Sequence, residues 1–316
     1  MAGGRRTPGL RGTLGLVGRG AAMGAADVVP GVSGGTVALL TGIYDQLIES
    51  IHGGSRALGR LLRFDIGGAV RQLARVDWRF LVPLFVGLLG AVVLLAGVIE
   101  DALVDHPEPM AGLFLGLVAA SVVVAQRGVA WTSGRLAVAG FVGSALFIAL
   151  GWQGAPVTDP SAPALFASGA VAICAMVLPG ISGSFLLLML GMYATVIEVI
   201  DERLLGDAAI FGAGAVVGLA CFSTVLARLL ADRPDDVLAV MVGLLLGSVR
   251  VLWPWPHGVG VVSRHSDHAV GGTGLGWPDT ANGLVAPVLL AVGAAAFVLG
   301  VDHLARRNPP AETPAD

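Results

Sequence analysis

The chain has 316 residues, 55% of them hydrophobic and 13% charged, with a net charge of -3. Its mean hydropathy is +0.82. This balance excludes a soluble globular domain and points to an integral membrane protein. The net charge gives no pointer to nucleic acid, which is not expected as a partner.

The N-terminus is basic, with Arg5, Arg6, Arg11 and Arg19. No short apolar core with a small-residue cleavage site follows, so no cleavable signal is expected. Residues 10–51 form two apolar stretches interrupted at Pro30-Gly31-Val32-Ser33-Gly34. Proline removes a helical hydrogen bond and clashes with the preceding turn, and glycine permits a sharp reversal. The predicted element is a helical hairpin that enters and leaves on one side. Its broken tip belongs inside protein or against a wet cavity, because irregular backbone is not tolerated against lipid.

Residues 52–79 are an arginine-rich connector. Arg56, Arg60, Arg63, Arg71, Arg75 and Arg79 alternate with Leu58, Leu61, Phe64, Ile66, Val70 and Leu73. A helix lying on the inner leaflet and a solvated loop both fit. Three spans at about 80–99, 109–126 and 135–151 complete a first half, residues 1–151.

The second half, residues 152–316, repeats the plan. Residues 29–51 and 178–200 align without a gap. Pro30/Pro179, Gly31/Gly180, Ser33/Ser182, Gly34/Gly183, Gly42/Gly191, Tyr44/Tyr193 and Glu49/Glu198 coincide. The second hairpin is expected at about 162–200, broken at Pro179 and Gly180, with spans at about 209–230, 237–253 and 282–303. His106-Pro107 and Arg233-Pro234 open runs that end in Gly116…Ser121 and Gly243…Ser248. Cys174 and Cys221 lie in apolar runs, so neither a structural disulfide nor a zinc site is expected. Trp253 and Trp255 read as an outer aromatic belt. His257, His265, Asp267 and His268 read as a polar outer loop rather than a metal site, and no cofactor is expected.

All the basic residues are arginines. With both termini in the cytoplasm, the N-terminal segment, the connector, the loops with Arg127/Arg135 and Arg228/Arg233, and the tail with Arg306/Arg307 fall inside. Glu100, Asp101, Asp105 and Glu108, then Asp159, then Asp201, Glu202 and Asp207 fall outside. Only Arg203 and Arg264 fall clearly outside, with Arg250 near a span end, which is a strong positive-inside bias. Each half is one hairpin plus three spans. Three is odd, so the second half is inverted and the two tips approach from opposite sides. The expected fold is therefore an all-α membrane protein with an inverted-topology repeat, forming one integral membrane domain. Paired broken helices of this kind are the sequence mark of a transporter's binding site.

The motif favours an anion. The second arm starts near Gly34, where the first amides lack helical partners, with Gly35 and the hydroxyls of Ser33 and Thr36 nearby. Ser182, Gly183 and Ser184 offer the same chemistry from the second tip. Arg19, then Arg250, are the candidate cations. Asp27 stands beside the first tip, where the second repeat has Met176. An ionisable residue in a membrane segment is a functional candidate, here for proton coupling. The alternative is a carboxylate that caps backbone amides at the tip. For the serine–glycine pairs the alternative is close helix packing.

The stretch from Arg19-Gly20 through Met23-Gly24, Asp27 and Pro30-Gly31-Val32-Ser33-Gly34-Gly35-Thr36, then Gly42-Ile43-Tyr44, with the later Leu178-Pro179-Gly180-Ile181-Ser182-Gly183-Ser184, closely resembles the bacterial polyprenyl-phosphate transporter family PopT. The resemblance covers essentially the whole chain. It implies return of undecaprenyl phosphate, or a relative, from the outer to the inner leaflet of the plasma membrane. The carrier is thereby recycled for peptidoglycan and other envelope polymers. By motif position Arg19, Asp27, Ser33, Gly34, Gly35, Thr36, Ser182, Gly183 and Ser184 carry over as site residues. A carrier of a small soluble anion and a membrane lipid phosphatase are the competing classes. The second wants a nucleophile with a base or a bound metal, and none of the histidines lies in a motif.

Overall fold

The computed structural model describes residues 10–27, 33–152, 157, 159–256, 274–278 and 280–307. These residues form helices and turns, with no strand among them. The first half comprises α1 (Leu10–Asp27), α2 (Gly34–Leu40), α3 (Tyr44–Leu61), α4 (Ile66–Leu73), α5 (Trp78–Asp105), α6 (Pro107–Gln126) and α7 (Ser133–Ala149). The second comprises α8 (Ala162–Val177), α9 (Gly183–Met189), α10 (Tyr193–Asp201), α11 (Leu205–Asp232), α12 (Pro234–Ser248) and α13 (Asn282–Arg307). Taken in order, every helix but α4 has a counterpart.

Local chemistry sets the boundaries. Ser33, Asp65, Asp77 and Thr132 accept hydrogen bonds from the amides of Gly35, Gly68, Phe80 and Arg135, which lack partners at a helix start. Pro107 and Pro234 open α6 and α12, where a missing N–H costs nothing. The residues before them, His106 and Arg233, share one conformation, with φ -137 and ψ 57 against φ -143 and ψ 58.

Each second arm differs from the single helix expected of it. After α2 the chain turns at Thr41-Gly42-Ile43, and after α9 at Leu190-Gly191-Met192. Gly42 and Gly191 hold φ of +68 and +70, a region that costs glycine nothing because it has no Cβ. Ile43 N–H donates to the Ala38 carbonyl and Met192 N–H to that of Leu187, so both turns close alike. Two further boundaries are corrected. Helix α3 runs to Leu61, ten or so residues past the expected hairpin end, and absorbs the start of the connector. Helix α12 stops at Ser248, short of 253. The rest of the connector includes α4, capped by Asp65. It leaves Leu62, Phe64, Ile66 and Val70 exposed beside Arg63 and Arg71.

Four helices, α5, α6, α11 and α13, are long and apolar enough to cross a membrane, while α7 and α8 are apolar but shorter. Only 11% of the α13 span is buried, against 44% of that of α6, which makes α13 peripheral and α6 central. Helix α12 packs on α6, burying Ala239, Met241, Val242 and Leu245. Around this centre lie Phe114, Val118 and Leu252 on one side, and Met23, Tyr44, Ile48 and Phe80 on the other.

Glycines build four close helix pairs, and the pairs repeat. In α1–α5 a Cβ on Gly20 would lie 2.0 Å from the Leu84 carbonyl oxygen, and one on Gly87 2.0 Å from that of Val17. In α8–α11 the corresponding distances are 2.2 Å for Gly169 on Phe211 and 2.0 Å for Gly214 on Phe166. The last two pairs cross between halves. Gly116 of α6 meets the Ala291 backbone of α13, and Gly243 of α12 meets the Ala139 backbone of α7. Backbones approach this closely only where side chains are absent, and in lipid such packing replaces the missing hydrophobic drive.

Ion pairs gather four helix ends at one pole of the molecule. Arg127, just after α6, pairs with Asp302 of α13 at 2.8 Å. Arg135 at the start of α7 pairs with Asp235 and Asp236 at the start of α12, at 3.0 and 2.7 Å. Helix α6 therefore ends where its counterpart α12 begins.

Candidate functional site

Residues just after the first helix break meet the second break. Helix α8 ends at Val177, so its last carbonyls have no partner within the helix. Ser33 and Tyr44, from the first half, supply donors to them. Ser33 Oγ donates to the Met176 carbonyl at 2.8 Å, and Tyr44 Oη to the Val177 carbonyl at 3.1 Å. In return Gly180 N–H donates to Thr36 Oγ1 at 3.1 Å. Gly180 has φ +85 and lies against the α12 backbone at Leu244 and Leu245, where a Cβ would come within 2.9 Å. Gly35 faces the Val177 carbonyl, 2.6 Å from where its Cβ would stand. Ser33, Thr36, Tyr44 and Ser182 are all buried.

The first tip is closed by its own side chains. Asp27 Oδ1 accepts Gly34 N–H at 2.6 Å, and Ser33 Oγ accepts Gly35 N–H at 3.1 Å. A carboxylate thus sits where the opening of α2 presents its amides, which is the capping arrangement. The second tip repeats the packing without the charge. A Cβ on Gly34 would lie 2.7 Å from the Asp27 carboxylate, and one on Gly183 2.6 Å from Met176 Cγ. Met176 takes Asp27's place but carries no charge and offers only a weak thioether acceptor. Ser182 makes no side-chain cap to α9, and its hydroxyl lies 2.8 Å from that of Ser184.

The other sequence candidates are spread out. Arg19 lies two turns before Asp27, about 12 Å along α1, and is exposed. Arg250 follows α12 beyond Leu245 and lies against Phe147 of α7, with its guanidinium carbon 5.1 Å from the ring centre. Pro179 is buried and sits at the second break. Pro30 and Gly31 lie outside the described residues, as do His257, His265, Asp267 and His268. Glu49 and Glu198 are exposed. Trp255 is buried rather than part of an outer belt, because it packs on Trp253 and Trp277. Cys174 and Cys221 are free thiols. Tyr44, absent from the candidate site residues read from the sequence, is a donor across the two tips. Its match to Tyr193 was the available signal, but a partner more than a hundred residues away leaves no local pattern.

Because Ser33 serves two partners and Ser182 does not, Ser33→Ala is expected to cost about 1–3 kcal/mol by leaving a buried amide and carbonyl unmet. Ser182→Ala should cost less. Thermal melting in detergent checks this, and equal shifts for the two variants contradict it.

Residues 23–270 match the VCA0040-like family, described as undecaprenyl phosphate translocase-like. The chain belongs to this family. It is 40% identical over 243 residues to a polyprenyl-phosphate transporter of Vibrio cholerae serotype O1, covering 75% of this chain and 76% of that protein. It is 31% identical over 255 residues to a polyprenyl-phosphate transporter of Staphylococcus aureus, covering 75% and 84%. No solved structure matches the chain. The matched region includes both tips and all the site residues named above except Arg19, which precedes it. Both relatives are named as transporters, not enzymes.

Proposed function

We propose that this protein flips a polyprenyl phosphate, undecaprenyl phosphate or a close relative, from the outer to the inner leaflet of the bacterial plasma membrane. It thereby recycles the lipid carrier for cell-envelope synthesis. Family membership and the names of the relatives support the substrate class. The observation that carries the mechanism is the direct contact of the two tips through Ser33, Thr36 and Tyr44 on one side and Met176, Val177 and Gly180 on the other. A head group passing between them exchanges these bonds for its own, while the tail stays in lipid.

The halves are two inverted repeats, residues 1–151 and 152–316, each a re-entrant hairpin plus three spans. In support, α6 ends at the pole where α12 begins. The arginine distribution supports placing that pole, with both termini, in the cytoplasm. Asp27 has a double role in this reading. It closes the first tip at rest and carries the proton whose movement releases it. Ser182, Gly183 and Ser184 receive the phosphate at the tip that has no carboxylate, and Arg19 draws it toward the inner side.

The test is leaflet-specific accessibility of polyprenyl phosphate in proteoliposomes, with wild type and Arg19→Ala side by side. Movement that requires the protein and falls with Arg19→Ala is the expected result. No movement under any imposed pH gradient overturns the reading and favours a soluble-anion carrier.

A further inference from the structure

Helices α7 and α12 lie side by side through Gly143, Gly243 and Gly247. Beside this seam are two cavities, of about 460 and 310 Å³, and Phe147 lines both. The first lies against Gly140, Ser144, Ile148 and Leu246, and the second against Val249, Trp253, Leu275 and Trp277. Both sizes lie within the roughly 300–1,000 Å³ common for ligand sites. Ile148, Leu246 and Trp277 are exposed, so the cleft opens on the apolar outside of the bundle.

Against Phe147, the residue common to both cavities, lies the Arg250 guanidinium, which has no carboxylate partner among the described residues. Arg250 Nε is buried and has no hydrogen-bond partner. The guanidinium fills the space a Cβ on Gly151 would need, at 2.5 Å, and stacks on Phe147. It is therefore held in place by packing rather than by an anion. A buried donor with no acceptor is unfavourable, and a phosphate oxygen is its natural complement.

The aromatic wall is equally fixed. Trp253 Nε1 donates to the Gly276 carbonyl at 2.8 Å, and Trp255 Nε1 to the Gly283 carbonyl at 3.3 Å. The second carbonyl is free to accept because Pro287, one helical turn later, has no N–H. Trp253, its donor spent on Gly276, meets Trp277 edge to face at 5.7 Å.

We propose that this cleft is a binding site for the head-proximal part of a polyprenyl monophosphate. Arg250 takes the phosphate, and Phe147, Trp253 and Trp277 hold the first isoprene units. The site lies at the pole opposite the Arg127–Asp302 pair, the outer side in the reading above, and the proposal rests on that reading. Leu245, five residues before Arg250 in the chain, lies against Gly180 of the second break.

The test titrates the full-length protein in nanodiscs with undecaprenyl monophosphate, undecaprenol and inorganic phosphate, read by tryptophan fluorescence. The expected result is saturable binding of the phosphate lipid that weakens at least about tenfold in Arg250→Gln, with undecaprenol unaffected. Arg250→Lys should retain part of the affinity, and Phe147→Ala should weaken both lipids. If Arg250→Gln binds the phosphate lipid as wild type does, or undecaprenol binds wild type equally well, the site is wrong. Should Arg250→Gln fail to fold, Arg250→Lys and Phe147→Ala decide: wild-type affinity in Phe147→Ala overturns the proposal. Flipping assayed in parallel separates the two claims. Wild-type flipping with an unaltered concentration dependence in Arg250→Gln rejects the cleft alone, whereas no flipping and no binding by wild type rejects the transport reading itself.

Discussion

Asp27→Asn is expected to lower flipping at least about tenfold, equivalent to about 1.4 kcal/mol on the barrier, at every pH tested. Its melting temperature should stay close to that of wild type. Asparagine keeps an oxygen where Asp27 Oδ1 accepts Gly34 N–H at 2.6 Å, so the tip remains capped. What it loses is the charge and the ability to exchange a proton. Asp27→Ala removes the acceptor as well and should cost about 0.5–2 kcal/mol of stability in addition. The pair of variants separates cap from charge. Unchanged transport by Asp27→Asn at every pH makes Asp27 a structural cap only. The second repeat supplies the natural contrast, since Met176 fills the same position against Gly183 and holds no charge.

The second large effect is steric. Gly20→Val and Gly169→Val should each destabilise the protein by about 1–3 kcal/mol or more, because the obstructing atoms are backbone and cannot turn aside. A Cβ there would stand 2.0 Å from the Leu84 carbonyl oxygen or 2.2 Å from that of Phe211. Gly18→Ala is the control. It meets nothing within 4 Å and exchanges a poor helix former for the best one. Melting in detergent and the monodisperse yield after purification read the difference. If Gly20→Val matches Gly18→Ala, the α1–α5 seam is not as close as described. Parallel losses for Gly20→Val and Gly169→Val are expected because the two seams repeat one contact.

Much of the site was legible because its signals are local. Pro179 and Gly180 break a helix wherever they stand, and Ser33 caps α2 through the amide two residues on. The corresponding Gly42 and Gly191 marked a turn in each arm, although the continuous apolar character of the arms hid it. Helix α12 ended early for a related reason. Apart from Arg250, residues 249–253 remain apolar but lead into Pro254 and Pro256, and apolar periodicity does not register a break that the next prolines impose. The arginines of the connector alternate with apolar residues, a pattern that fits helix and loop alike, and the Asp65 cap on Gly68 N–H is what starts α4.

The sequence by itself determined an all-helical membrane protein with two matching helix-breaking motifs, because hydropathy, proline and glycine act over a few residues and need no partner. The tertiary structure decided the rest. It paired α6 with α13 and α7 with α12, each across the two halves, through glycines whose purpose appears only against a facing backbone. It turned Asp27 onto Gly34, carried Ser33 to a carbonyl 143 residues away, and left Arg250 beside Phe147 with no carboxylate partner among the described residues. Those contacts join positions far apart in the chain. Their energy depends on distance and desolvation in the folded protein, and neither is written in the local order of residues.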